Sequence, residues 1–94
     1  MPAESELEAK VRKYATSKGC LFWKFTSPGT NGVPDRIIIG PGGQMAFLEL
    51  KAPGEKPSAQ QLYWLSVLSD RIVPSGWSSD YQECVQFIND LLML

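Results

Sequence analysis

Ninety-four residues with 44% hydrophobic content, three tryptophans and a formal net charge of −1 make one domain, 1–94, with a modest core; disorder and a generally basic nucleic-acid binder are both excluded. There is no histidine, which removes Ser-His-Asp and Cys-His catalysis, HEXXH zinc sites and histidine-metal nucleases together and leaves carboxylates and lysine to carry any chemistry. Cys20 and Cys84 form no CxxC motif and read as buried free thiols of a reducing compartment, and no apolar run reaches the roughly 18 residues of a membrane span, so a cytoplasmic protein with no membrane partner is expected.

Charge is unevenly spread: residues 1–56 carry eight Lys/Arg against six Asp/Glu, and residues 57–94 one against four. Several of the early acids are candidate ligands, so a basic contact surface survives if they hold a cation. Ser5 to Lys18 reads as an amphipathic helix with Leu7, Val11, Tyr14 and Ala15 on one stripe, ended by Gly19. Ser5 and Glu8 fit a capping box, in which Glu8 reaches back to the backbone. Cys20 to Phe25 then forms a first strand, with Phe22, Trp23 and Phe25 expected in the core and Lys24 facing either phosphate or solvent.

Thr26 to Val33 is a loop of Ser, Pro, Gly, Thr and Asn next to an acidic segment, and Ser27, Thr30 and Asn31 offer neutral donors to phosphate oxygens; a simple connector is the alternative. Ile37 to Ile39 and Met45 to Leu50 are two strands, and Pro41, Gly42 and Gly43 between them are turn chemistry. With the turn centred on Gly42, and Gly42 or Gly43 left-handed, Ile38 faces Ala46 and Asp35 faces Glu49. Opposed residues share a face with Cβ atoms roughly 4.5–5.5 Å apart, close enough for two carboxylates to share one divalent cation. Lys51, two residues beyond Glu49, projects from that same face. Geometry alone leaves two readings open, a metal site or a solvated charged face neutralised by Lys51.

The segment Ala52 to Pro57 is too rich in proline and glycine to continue the strand. A second helix follows, with Ser58 as N-cap, Gln61 at the capping-box position, and apolar residues up to about Ser69. Arg71 to Val73 reads as a short fourth strand stopped by Pro74. A last helix begins from Ser79, with Gln82 three residues on, and gathers Tyr81, Cys84, Val85, Ile88, Leu91 and Leu92 on one side. Its apolar tail, Leu91 to Leu94, invites a symmetric partner.

Gly32-Val33-Pro34-Asp35, a Pro41-Gly42-Gly43 turn, Glu49-Leu50-Lys51-Ala52-Pro53-Gly54 and Gln61 together resemble the VRR-Nuc branch of the PD-(D/E)XK nucleases over most of the chain. The resemblance implies an α/β, restriction-endonuclease-like mixed β-sheet flanked by helices. It also implies a Mg²⁺- or Mn²⁺-dependent DNA endonuclease. Asp35, Glu49, the Leu50 carbonyl and Glu8 would hold the ion, with Glu4 the fallback for Glu8; Lys51 would orient water and Gln61 would position water or lysine. Lys24 and Arg36, with Ser27, Thr30 and Asn31, are the expected DNA contacts. Small stand-alone members resemble phage-type resolvases of four-way (Holliday) junctions acting as homodimers in a bacterial or phage-infected host. The competing readings are a nickase or flap-type nuclease, a non-catalytic nucleic-acid-binding module of the same fold, and a small interaction domain with solvated hairpin charges.

Overall fold

In a computed structural model of the chain, residues 3–94 are described, with side chains from residue 5 onward; the side chain of Glu4 lies outside the described residues. Helix α1 spans Ala3–Ser17. Ser5 is therefore inside the helix, and the expected Ser5–Glu8 capping box does not exist; alanine and glutamate upstream are good helix formers and extend it. Leu7, Val11 and Ala15 form its buried stripe. Gly19, at φ 82°, closes the helix, with Gly19 N–H donating to the Thr16 carbonyl and Cys20 N–H to the Ala15 carbonyl, the two bonds of a Schellman cap.

Strands β1 (Leu21–Lys24), β2 (Arg36–Ile39), β3 (Met45–Leu50) and β4 (Ser75–Ser78) form one sheet in that order. The pairs β1–β2 and β2–β3 are antiparallel, and β3–β4 is parallel, joined through helix α2 (Ala59–Asp70). The hairpin turn is a three-residue loop: Gly40 N–H donates to the Gln44 carbonyl, Gly43 N–H to the Gly40 carbonyl, and Gly43 is the left-handed residue at φ 87°. Ile38 accordingly pairs with Ala46, as expected.

The core lies on one side of this sheet. Phe22, Ile38, Leu48 and Leu50 pack there against Leu7, Val11 and Ala15 of α1 and Cys84 and Ile88 of α3 (Tyr81–Leu92). Both cysteines are buried free thiols. Trp23, expected inside, is 55% exposed, because it alternates with Phe22 and so points to the opposite face, where neither α1 nor α3 reaches.

Two further boundaries differ from expectation. Arg71 to Val73 is not a strand but the C-cap of α2: Ile72 N–H donates to the Ser69 carbonyl, Val73 N–H to the Leu68 carbonyl, and Ile72 takes φ 59°. The fourth strand starts after Pro74, whose carbonyl accepts from Phe47 N–H. The cap of α3 is Asp80, accepting from Glu83 N–H at 3.0 Å, rather than Ser79. Ser78 accounts for this shift, since its hydroxyl accepts from Asp80 N–H and donates to Glu83 Oε1, fixing the chain one residue later.

Candidate active site

Extending the observed β2–β3 register by one residue sets Asp35 opposite Glu49, and Glu49 in turn pairs with Trp77. This row lies on the sheet face away from α1 and α3. It follows two apolar rows, Leu21–Ile39–Met45 and Trp23–Ile37–Phe47. Asp35 is anchored through its backbone, its carbonyl accepting from Phe25 N–H at 2.8 Å. Phe25 also meets Phe47 edge to face, with centroids 5.5 Å apart.

Glu49 is a carboxylate only 7% exposed, and burial of this kind requires donors or cations nearby. Lys51 Nζ stands 3.9 Å from its Oε2 and Gln61 Nε2 3.5 Å from the same oxygen. Gln61 also completes the cap of α2: its Oε1 accepts from Ser58 N–H at 2.8 Å while Ser58 Oγ accepts from Gln61 N–H at 3.1 Å. Capping and site contact, which the sequence leaves as alternatives, are made by the two ends of one amide.

Two tight turns and a close approach bring these pieces together. Ser27–Thr30 and Ala52–Glu55 are each closed by a bond from the fourth residue's N–H to the first residue's carbonyl, with Pro second and a left-handed Gly third, the type II pattern. Gly32, at φ 91°, lies so near the first turn of α2 that a Cβ there would come 2.8 Å from Gln60 Cγ and 3.0 Å from its backbone. The glycine before Val33-Pro34-Asp35 thus lets the loop seat on the helix that carries Gln61.

Glu8 occupies a second cluster. Its Oε1 accepts from Arg12, 2.6 Å from Nη2 and 3.0 Å from Nε, and lies 3.9 Å from Arg36 Nε. Arg36 Nη1 pairs with Asp35 Oδ1 at 3.0 Å. Arg12 ties α1 to β1 by donating to the Phe22 carbonyl at 2.8 Å, its guanidinium over the Phe22 ring. Arg12 was not singled out from the sequence, although its spacing of four from Glu8 on a helix is the signal that finds such pairs. Of the expected DNA contacts, Lys24 and Asn31 are exposed, Ser27, Thr30 and Arg36 half-buried.

The oxygen donors Asp35, Glu49, Glu8 and the Leu50 carbonyl suit a hard divalent cation in kind. Among the described residues, however, no three metal-ligating side chains are gathered closely enough to hold one by themselves. Arg36 stands between Glu8 and Asp35 in the ion-pair network.

No family model matches the chain. A protein of Acyrthosiphon pisum secondary endosymbiont phage 1, named "Putative nuclease p44", is 49% identical over 59 residues, 63% of this chain and 59% of that protein. The match thus spans little more than half the length of that relative. A solved VRR_NUC domain superposes with a TM-score of 0.87 over 95% of this chain and 97% of that domain, at 22% identity. The fold is therefore that of a VRR_NUC domain, a mixed four-stranded sheet flanked by three helices, as the resemblance implied.

Proposed function

We propose that residues 1–94 form a single VRR-Nuc nuclease domain that hydrolyses DNA phosphodiesters with a divalent cation, acting intracellularly as a homodimer on branched DNA, foremost a four-way junction. The observation that carries this reading is the convergence of Lys51 and Gln61 on one oxygen of the buried Glu49, in the row that also holds Asp35. A structural hairpin gains nothing by burying such a cluster. The nuclease name of the phage relative and the shared fold support it further.

Asp35, Glu49, the Leu50 carbonyl and Glu8 would hold Mg²⁺ or Mn²⁺, which when bound supplies Lewis-acid polarisation of the phosphate and lowers the pKa of a water. Hydrolysis forms one bond from water oxygen to phosphorus and breaks one ester bond, the departing oxygen taking a proton from solvent. Lys51 orients the water and offsets the negative charge that grows on the non-bridging oxygens. Gln61, its oxygen committed to the helix cap, uses its N–H end to hold the Glu49 carboxylate in place. Ser27, Thr30, Asn31, Lys24 and Arg36 bind the DNA backbone. For the homodimer the support is the open apolar surface, where Leu21, Trp23 and Met45 are exposed on one sheet face. Two-fold symmetry would present two sites to strands of opposite polarity.

The test is cleavage of end-labelled four-way junction, duplex and single-stranded DNA with Mg²⁺ or Mn²⁺, alongside sedimentation of the free protein. Paired cuts in the junction by a dimer are expected, with Asp35→Ala and Lys51→Ala each losing about 10²- to 10³-fold in rate while keeping their fold. Cutting retained by both variants would refute the site. Nicks or flap cuts alone would replace the resolvase by the narrower nuclease, and binding without cutting would replace it by the non-catalytic module.

A further inference from the structure

One guanidinium stands between two carboxylates, Glu8 on α1 and Asp35 just before β2. Arg36 Nη1 reaches Asp35 twice, at 3.0 Å to Oδ1 and 3.2 Å to the backbone carbonyl, while its Nε lies 3.9 Å from Glu8 Oε1. The Arg36 side chain is 12% exposed, and Nε is buried with no hydrogen-bond acceptor among the described residues. Arg12 is held differently, by the Phe22 carbonyl and ring as well as by Glu8. The contacts of Arg36 with Asp35 are thus both made by Nη1, while Nε, ion-paired with Glu8 at 3.9 Å, is an unsatisfied donor.

The charges of the cluster balance as they stand. Glu8, Asp35 and Glu49 lie within 4 Å of Arg12, Arg36 and Lys51. A divalent cation entering this set meets a guanidinium already placed against two of its ligands, and adds two positive charges without compensation. A DNA phosphodiester answers both difficulties, since it brings negative charge and presents oxygens that a planar guanidinium binds in a bidentate manner.

On the nuclease reading above, we infer that Arg36 is a built-in counter-cation: it pairs with Asp35 and Glu8 in the free protein and passes to a DNA phosphate when the strand arrives, so that DNA and divalent cation each tighten the binding of the other. Such coupling is reciprocal. Arg36 acts here as a positioning residue, not as a group that touches the reacting atoms.

The experiment reads Mn²⁺ binding by electron paramagnetic resonance without DNA, in wild type, Arg36→Gln and Asp35→Asn. A second arm reads the affinity for a fluorescent four-way junction with and without Ca²⁺. Arg36→Gln should bind Mn²⁺ about tenfold more tightly than wild type, because a unit charge beside the ion has gone. Ca²⁺ should tighten junction binding by wild type about tenfold and by the variant about threefold or less. Should the glutamine variant not fold, Arg36→Lys serves, since one ammonium cannot span both carboxylates; Mn²⁺ binding about threefold tighter is then expected. Mn²⁺ binding lost in Asp35→Asn but unchanged in the folded Arg36 variant overturns the counter-cation role alone. Mn²⁺ binding unchanged in Asp35→Asn overturns the site on which it rests.

Discussion

The two faces of the four-stranded sheet are made from alternate residues of the same strands, yet they are finished in opposite ways. The face built by Phe22, Ile38, Leu48 and Leu50 is closed by α1 and α3, and its residues are buried. The other face, built by Leu21, Trp23, Ile37, Ile39, Met45 and Phe47, leaves Leu21, Trp23 and Met45 exposed and ends in the charged row of Asp35 and Glu49. Helix α2 packs on this side against β4, reaches Glu49 of β3 through Gln61, and buries none of its own residues. The buried core and the charged row are thereby assigned to different surfaces of one sheet, and a substitution can be aimed at either by a shift of one residue in sequence.

The sharpest way to break this contrast is to truncate neighbours. Ile38→Ala on the closed face should cost about 3–4 kcal/mol of unfolding free energy, the range for a fully buried isoleucine, whereas Ile37→Ala on the open face should cost about 1 kcal/mol. Chemical denaturation of both variants compares them directly, and equal losses would mean that the open face is covered in solution.

A smaller effect is expected from pH. Burial pushes the Cys84 thiol up to about 11, from 9.0, with Asp80 and Glu83 adding to the rise and a hydrogen bond with Ser78 opposing it. Above pH 9 the unfolded chain loses this proton while the native chain keeps it, so stability should fall between about pH 9 and 11, by about 2–3 kcal/mol from this group. Below pH 9 the contribution is constant. Cys84→Ala should flatten that part of the curve of denaturation midpoint against pH, and a slope unchanged by the substitution would assign it to other groups.

The smallest effect concerns the link by which α2 reaches β4. Ile72 is 89% exposed and left-handed, a conformation unfavourable for a β-branched residue. Ile72→Gly should raise the melting free energy by about 0.5–1 kcal/mol without altering activity. A destabilised glycine variant would show that the Schellman geometry is not what ends the helix.

What was legible in the sequence follows the same division. Pro41-Gly42-Gly43 permits few turns, and once the turn is set the pairing of every hairpin residue follows, which is why Ile38 against Ala46 and the placing of Asp35 opposite Glu49 were readable. Ser58 and Gln61 are equally local, and the cap they form is the expected one. The fourth strand was not readable, because Ser75-Gly76-Trp77-Ser78 shows no apolar alternation. Its inward positions must be small: a Cβ on Gly76 would come within 3.1 Å of the Phe87 ring on α3. Trp23 was misjudged for a related reason, since aromatic content reveals a strand but not which of its faces a helix will cover. The link from Glu8 on α1 to Arg36 at the start of β2 and Asp35 just before it was hidden too, as α1 and this segment meet only through packing.

The shared amide of Gln61 has a consequence for which neighbouring residue types are interchangeable. The helix cap consumes the oxygen end, so the nitrogen end alone is turned to Glu49, and the group has no freedom to flip. A glutamate of the same shape would begin the helix equally well but would set one carboxylate against another. To the backbone the two residues are synonyms, while to the carboxylate across the groove they are opposites.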